Sequence, residues 1–253
     1  MIRADLASMS STAKAAAEVA ERLEAGLLPP LRALICNAGI QYTNGLTETV
    51  DGFEATFAVN VLAPHVLVRG LHDRLQAPAT VVLTVSDTHF GDFRHNLGMV
   101  PGPRWLPPDL LARAGSFSNS ASATAGRTAY STSKLAAIYL MHEYARRIPV
   151  GVAVMGYNPG FVPGTDLARD AGSFSRFAMR RIMPLLTATP LATTPARAGR
   201  HLADVALGAI QASSGAYIDR NHVAQSSPES YNLEREQDTW NAVERLTAAF
   251  ARS

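Results

Sequence analysis

Cysteine is nearly missing from the 253 residues: Cys36 is the only one. It sits in an apolar run, and no disulfide framework can hold the fold. Lysine is almost as scarce, with Lys14 and Lys134 set against 21 arginines. Charged residues make up 17% and the formal charge is +2, with no basic block. That leaves no electrostatic footprint for nucleic acid or a membrane surface. No run reaches the roughly 18 apolar residues of a membrane span, and the N-terminus carries no signal-peptide core. A soluble cytoplasmic protein fits these absences best. With 47% hydrophobic residues, the chain can bury one core, and one domain over 1–253 is expected.

Because lysine is so rare, the position of Lys134 carries information. It follows Tyr130 by four residues in Tyr130-Ser131-Thr132-Ser133-Lys134, so on a helix the two lie on one face, one turn apart. The same stripe continues through Ala137, Ile138, Met141 and Ala145, which makes it a buried face. Chance alone gives this spacing roughly 0.06 times in such a composition. An ammonium beside a phenol is expected to lower the tyrosine pKa, which suits a general acid/base near neutral pH. The plainer alternative is a surface lysine beside a core tyrosine.

Taken in order, residues 1–6 read as the tail of a strand and 10–27 as a helix capped by Ser10 or Ser11. Apolar runs at 31–36, 80–85, 150–155 and 215–218 alternate with helical stretches. That pattern predicts an α/β fold with a doubly wound parallel sheet, covered on both faces. A helix over 50–76 carries Asn60 within its apolar stripe and Pro64 just beyond, where a kink is expected. Asn60 is as readily a core amide bonded to nearby backbone. Asn37 and Ser86 stand at carboxyl ends of strands, where ligands bind in such sheets.

The 41 residues 87–127, with four prolines and Trp105, read as a lid-like insertion. His89 and His95 near Asp87 and Asp92 match no metal-ligand spacing and read as solvated loop histidines. Asn158-Pro159-Gly160 opens a loop at a further strand end. Residues 171–189 form an amphipathic cover and 195–212 another helix. Ser227-Pro228 opens the last helix, with Trp240, Val243, Leu246 and Phe250 on its inner face.

Asp5-Leu6, Asn37-Ala38-Gly39, Asn60-Val61, Ser86, Tyr130-x-x-x-Lys134 and Asn158-Pro159-Gly160 occur in this order. From about Asp5 to the C-terminus the chain thereby resembles the short-chain dehydrogenase/reductase family, with its Rossmann-like fold. Pro159-Gly160-x-x-Pro163-Gly164-Thr165-x-Leu167-Ala168-Arg169 and the run Ser226 to Tyr231 look closest to the branch of retinol dehydrogenases and protochlorophyllide reductases. The resemblance implies an oxidoreductase moving a hydride between a nicotinamide and a ketone, aldehyde or alcohol. Tyr130 would exchange a proton with the substrate oxygen and Ser86 would orient that oxygen. Lys134 would lower the tyrosine pKa and bond the nicotinamide ribose, and Asn60 would hold a water relaying protons from Lys134. Asp5 would bond the adenine amine, Asn37, Ala38 and Gly39 would line the adenosine ribose, and Pro159 and Gly160 would pack near the nicotinamide. Thr165 would reach the carboxamide. The cofactor implied is NAD(P), with NADP the expected form. The implied partner is a small carbonyl or alcohol, with no metal, and with a homo-oligomer compatible with the fold.

Three departures stand against that pattern. Val85 replaces the second serine usual just before the catalytic one. Ser86 and Tyr130 are 44 positions apart, much more than in compact members. The strand and Gly-x-x-x-Gly-x-Gly turn with which such chains begin do not occur, so the domain reads as N-terminally truncated, its first βαβα segment absent. Residues 1–253 are then expected to bind NAD(P)H poorly, to present Leu31–Cys36 as an open edge and to aggregate. The competing reading is a non-catalytic remnant serving as a binding or interaction module.

Overall fold

The computed structural model describes residues 1–96, 98–163 and 192–250. All four apolar runs become strands: β1 (Leu31–Cys36), β2 (Leu75–Thr84), β3 (Val152–Asn158) and β4 (Ala216–Asp219). They lie side by side in chain order and pair in parallel. A short β5 (His222–Ala224) turns back antiparallel on β4 through a tight turn at Arg220, whose φ is 56°. This hairpin escaped the sequence because the turn has no glycine to mark it. Among the described residues the helices are α1 (Met9–Glu24), α2 (Ala55–Phe57), α3 (Ala63–Leu71), α4 (Phe93–Asn96), α5 (Pro108–Leu111), α6 (Ala123–Arg147), α7 (Pro195–Ala206) and α8 (Leu233–Thr247).

Alternate strand residues feed two cores. Val81, Leu83, Val154 and Tyr217 join the large one, with Met9 of α1, Val66 of α3, Ile138 and Met141 of α6 and Val243 of α8. Val82, Met155, Tyr157 and Ile218 point the other way, onto Val205 and Ala206 of α7. Burial on both faces explains why the strands read as continuous apolar runs instead of alternating ones. The Rossmann-like α/β layering is therefore as the sequence predicts.

Several boundaries differ. Residues 1–6 form no strand, so β1 is the outer strand of the described sheet, and its Ile35 is 40% exposed. The cap of α1 is Ser8, whose Oγ accepts from the Ser11 N–H. The helix expected over 50–76 starts later, because a turn at Thr49–Phe53 precedes it and Glu54 caps it. Between α2 and α3 the chain widens into a π-turn, Ala58–Leu62. Pro64 has no N–H to give the Asn60 carbonyl an α-type bond, and the turn relaxes just before it. The last helix opens at Leu233, capped by Asn232. Pro228–Tyr231 is only a 3₁₀ turn, because Ser227 makes no side-chain cap. The expected inner face of that helix is right: Val243 is buried, and Trp240, Leu246 and Phe250 pack on the large core.

The helix that carries the Tyr-Lys pair, α6, runs 25 residues through the middle of the molecule. Ser122 caps its start, Arg146 and Arg147 sit in its last turn, and Pro149 stops it. Gly126 lets the 42–44 segment cross its first turn. A Cβ there would lie 2.4 Å from the Tyr42 carbonyl oxygen and 2.7 Å from the Asn44 nitrogen, so something would have to shift. Gly126→Ala should therefore lose about 1–3 kcal/mol of stability, despite alanine's better helix propensity. Denaturant melts would show it; a neutral or stabilising result would mean the crossing gives way freely.

Glu54 supplies a test by pH. Its Oε2 accepts from the Phe57 N–H at 2.6 Å, while its Oε1 is buried with no partner. Burial pushes its pKa from 4.5 up to about 7. The folded state therefore holds the proton more tightly than the unfolded one. The ionisation cost is absent below about pH 4.5 and complete above about pH 7. Glu54→Gln should leave stability nearly unchanged at pH 4.5 and raise it at pH 8, by up to about 3 kcal/mol. Calorimetry at the two pH values reads this directly, and an equal effect at both would contradict it.

Candidate active site

Four carboxyl strand ends and one helix face meet above the sheet. At β1, Asn37 and Ala38 are exposed, and the Asn37 Oδ1 accepts from the Thr84 hydroxyl at the end of β2, at 3.2 Å. Next to them Lys134 is buried, its Nζ donating to the Thr84 carbonyl at 2.8 Å. Gly39 passes close by: a Cβ on it would stand 3.3 Å from the Lys134 Nζ and 3.4 Å from the Asn60 Oδ1, a tight fit. The Lys134 ammonium lies 5.6 Å from the centre of the Tyr130 ring. No described carboxylate pairs with it, and two of its three N–H groups have no recorded partner.

Asn60 sits in the π-turn and is spent on protein groups. Its amide exchanges two hydrogen bonds with the Ile40 main chain, both 2.9 Å, and donates to the Ser133 Oγ at 2.9 Å. Ser133 donates on to the Tyr130 carbonyl at 2.7 Å. Asn60 thus braces both the loop after β1 and the helical turn that presents Tyr130.

Ser86 follows β2 and caps the 3₁₀ turn Asp87–Phe90, its Oγ accepting from the Thr88 N–H at 3.3 Å. Its hydroxyl donates to the Asp87 Oδ1 at 3.4 Å and stands near enough to the Tyr130 phenol to lower that phenol's pKa. On the far side, the Asn158 Oδ1 accepts from the Asp87 N–H at 3.3 Å and the Gly160 N–H at 3.0 Å. One amide therefore fixes the Pro159-Gly160 loop against the Ser86 segment. Asn158 itself is held by Asp219 at 3.0 Å. The Arg220 guanidinium lies over Gly160.

Ser86, Tyr130, Lys134, Asn60, Gly39 and Asn37 come together, with Pro159 and Gly160 joined through Asn158. Asp5 does not join them by any recorded contact: its carboxylate accepts from the Ala7 N–H, in the turn into α1. Thr165 and the 171–189 cover lie outside the described residues.

The electrostatics correct one expectation. Burial pushes the Tyr130 phenol up, not down; the nearby Ser86 hydroxyl lowers it and the nearby Asp87 carboxylate raises it further. Burial also pulls Lys134 down to about 8. Both groups lose water, and that loss sets the direction of each shift. Burial raises Asp87 to about 6, with Arg220 opposing. His89 is a second correction. It is buried, not solvated, and burial holds its pKa near 4. His95 is half-buried, bonded to Asp92 and stacked on Phe90. Spacing alone missed Ser133, Asp87 and His89, although each stands within three residues of a residue it did find.

No family model matches the chain. The short-chain dehydrogenase iccH of Talaromyces variabilis is 24% identical, over 95% of this chain and 77% of its own length. The human WW domain-containing oxidoreductase is 30% identical over 86% of this chain, which spans about half, 49%, of that relative. Among solved structures, a short chain dehydrogenase from Burkholderia cenocepacia J2315 in complex with NADP superposes with a TM-score of 0.55. It is 23% identical and covers 86% of this chain and 73% of its own.

Proposed function

The chain belongs to the short-chain dehydrogenase/reductase family, and on that premise we propose that it reduces a small ketone or aldehyde, or oxidises the matching alcohol, using NADP(H). The observation that carries this reading is the group of half-buried Ser86 and buried Tyr130 and Lys134, in which a hydroxyl, a phenol and an ammonium with no paired carboxylate line one end of the sheet. A purely structural core seldom keeps an unpaired buried ammonium, because its desolvation is costly. A bound nicotinamide would supply the hydride.

The residues present fit the nicotinamide riboside end of such a cofactor. Lys134 has N–H groups left for ribose hydroxyls, and Gly39 leaves the space a side chain would fill. The substrate oxygen would lie between the Ser86 Oγ and the Tyr130 hydroxyl. Ser86 would orient it and Tyr130 would exchange the proton. The raised phenol pKa suits a donor that is fully protonated at neutral pH. Because the Asn60 side chain is occupied, the water that resupplies protons through Lys134 would rest on the Asn60 main-chain carbonyl, which Pro64 leaves without an α-helical donor.

The test is direct. Purified protein should oxidise NADPH, supplied in millimolar excess, with at least one member of a panel of aliphatic and aromatic aldehydes and ketones. The second reading is a non-catalytic binding or interaction module. Turnover of no panel member, and of no matching alcohol in the reverse direction, would select that module.

A further inference from the structure

We propose that His89 is a positioning residue: it clamps the Ser86 main chain to the C-terminal turn Ser226–Tyr231 and thereby holds Ser86 against Tyr130. The inference rests on the reading that Ser86 and Tyr130 share the reacting oxygen. It adds a residue and a segment to which that reading gives no part.

The geometry fixes the tautomer. The Ser227 main-chain N–H donates to the His89 Nε2 at 2.9 Å. Nε2 must therefore carry no proton, and the one proton of a neutral ring sits on Nδ1. That nitrogen is 2.5 Å from the Ser86 carbonyl oxygen, which also accepts the His89 main-chain N–H at 3.3 Å. The ring cannot turn over without stranding a buried N–H at Ser227 and a buried acceptor at Ser86. It is also confined by Phe90 at 4.2 Å and Tyr217 at 5.3 Å between ring centres. His95 and Asp92 are the charged groups that face it, acting in opposite directions, and burial keeps it neutral.

The turn it grips is itself rigid. Ser230 donates to the Ser227 carbonyl, and its Oγ lies 2.6 Å from the Ser226 Oγ, all three residues being buried. The Tyr139 hydroxyl of α6 donates to the Glu229 carbonyl of the same turn at 2.9 Å. One turn therefore references both partners of the reacting pair: Ser86 through His89, and the helix that bears Tyr130 through Tyr139. The clamp reaches 138 positions along the chain.

The test compares His89→Asn, whose amide keeps an N–H for the Ser86 carbonyl, with His89→Leu, which has none. Turnover is read with NADPH and the best carbonyl of the panel above. His89→Leu should lower kcat roughly ten- to a hundredfold with KM nearly unchanged, the scale of a displaced reacting group. His89→Asn, which keeps the Ser86 end and leaves the Ser227 end open, should recover only part of that loss. In a Ser86→Ala background His89→Leu should cost nothing further, because the group it positions is gone. An additive loss, or equal losses in the Asn and Leu variants, would overturn the clamp. Imidazole nitrogen NMR of the parent protein gives a reading independent of turnover. A neutral ring protonated at Nδ1 down to about pH 5 is expected, and an Nε2–H ring or an imidazolium would overturn the proposal. If the parent turns over no carbonyl, the functional reading falls alone, and the NMR result still decides the clamp.

Discussion

Tyr130→Phe is expected to lower turnover by about 10²–10⁴-fold while leaving NADPH affinity within a factor of about three. The phenol hydroxyl is the only part removed. The ring is buried, so phenylalanine keeps the packing. What is lost is the proton donor beside Ser86. Stability should hold or rise slightly, since a buried hydroxyl leaves with its desolvation cost. Steady-state kinetics beside calorimetric titration of NADPH separates the two effects. Turnover near the parent level would remove Tyr130 from the chemistry.

Lys134→Met is expected to damage binding and rate together. The methionine keeps an apolar stem in the channel between Gly39 and Thr84, so the fold should survive. A charge-assisted bond to a ribose hydroxyl is worth about 1.5–3 kcal/mol. The dissociation constant for NADPH should thus rise roughly ten- to a hundredfold, and kcat should fall as well. The lowered pKa sharpens the reading. With Lys134 titrating near 8, the parent should bind NADPH progressively more weakly from pH 7 to 9. The methionine variant should show no such slope. A rate loss with unchanged cofactor affinity would place Lys134 away from the ribose.

What could be read from residues alone was whatever depends on spacing. The Tyr130–Lys134 face, the four strands and the strand-end positions of Asn37 and Ser86 all follow from periods of 3.6 and from apolar runs closed by turn residues. The side of the phenol to which the balance of charge and burial tips could not be read. Spacing shows that an ammonium is near, but not that both groups are sealed from water, and desolvation decides the sign. His89 was misread for the same reason. Its partners are 138 positions away at Ser227 and in the ring of Tyr217, and a loop of prolines gives no hint that it folds onto them. Ser227-Pro228 shows how one local rule can yield to another. The pair has the form of a helix start, yet the Ser227 main chain is drawn to His89 and Asn232 takes over the cap.

The measurement closest to the central claim follows one atom. NADPH carrying deuterium at the transferable position of the nicotinamide is incubated with the protein and a carbonyl of the panel, and the product is weighed by mass spectrometry. The expected product is an alcohol bearing one deuterium on the former carbonyl carbon, formed by the parent protein and lost in Tyr130→Phe. An alcohol without deuterium, or labelled product formed equally by both proteins, would contradict it.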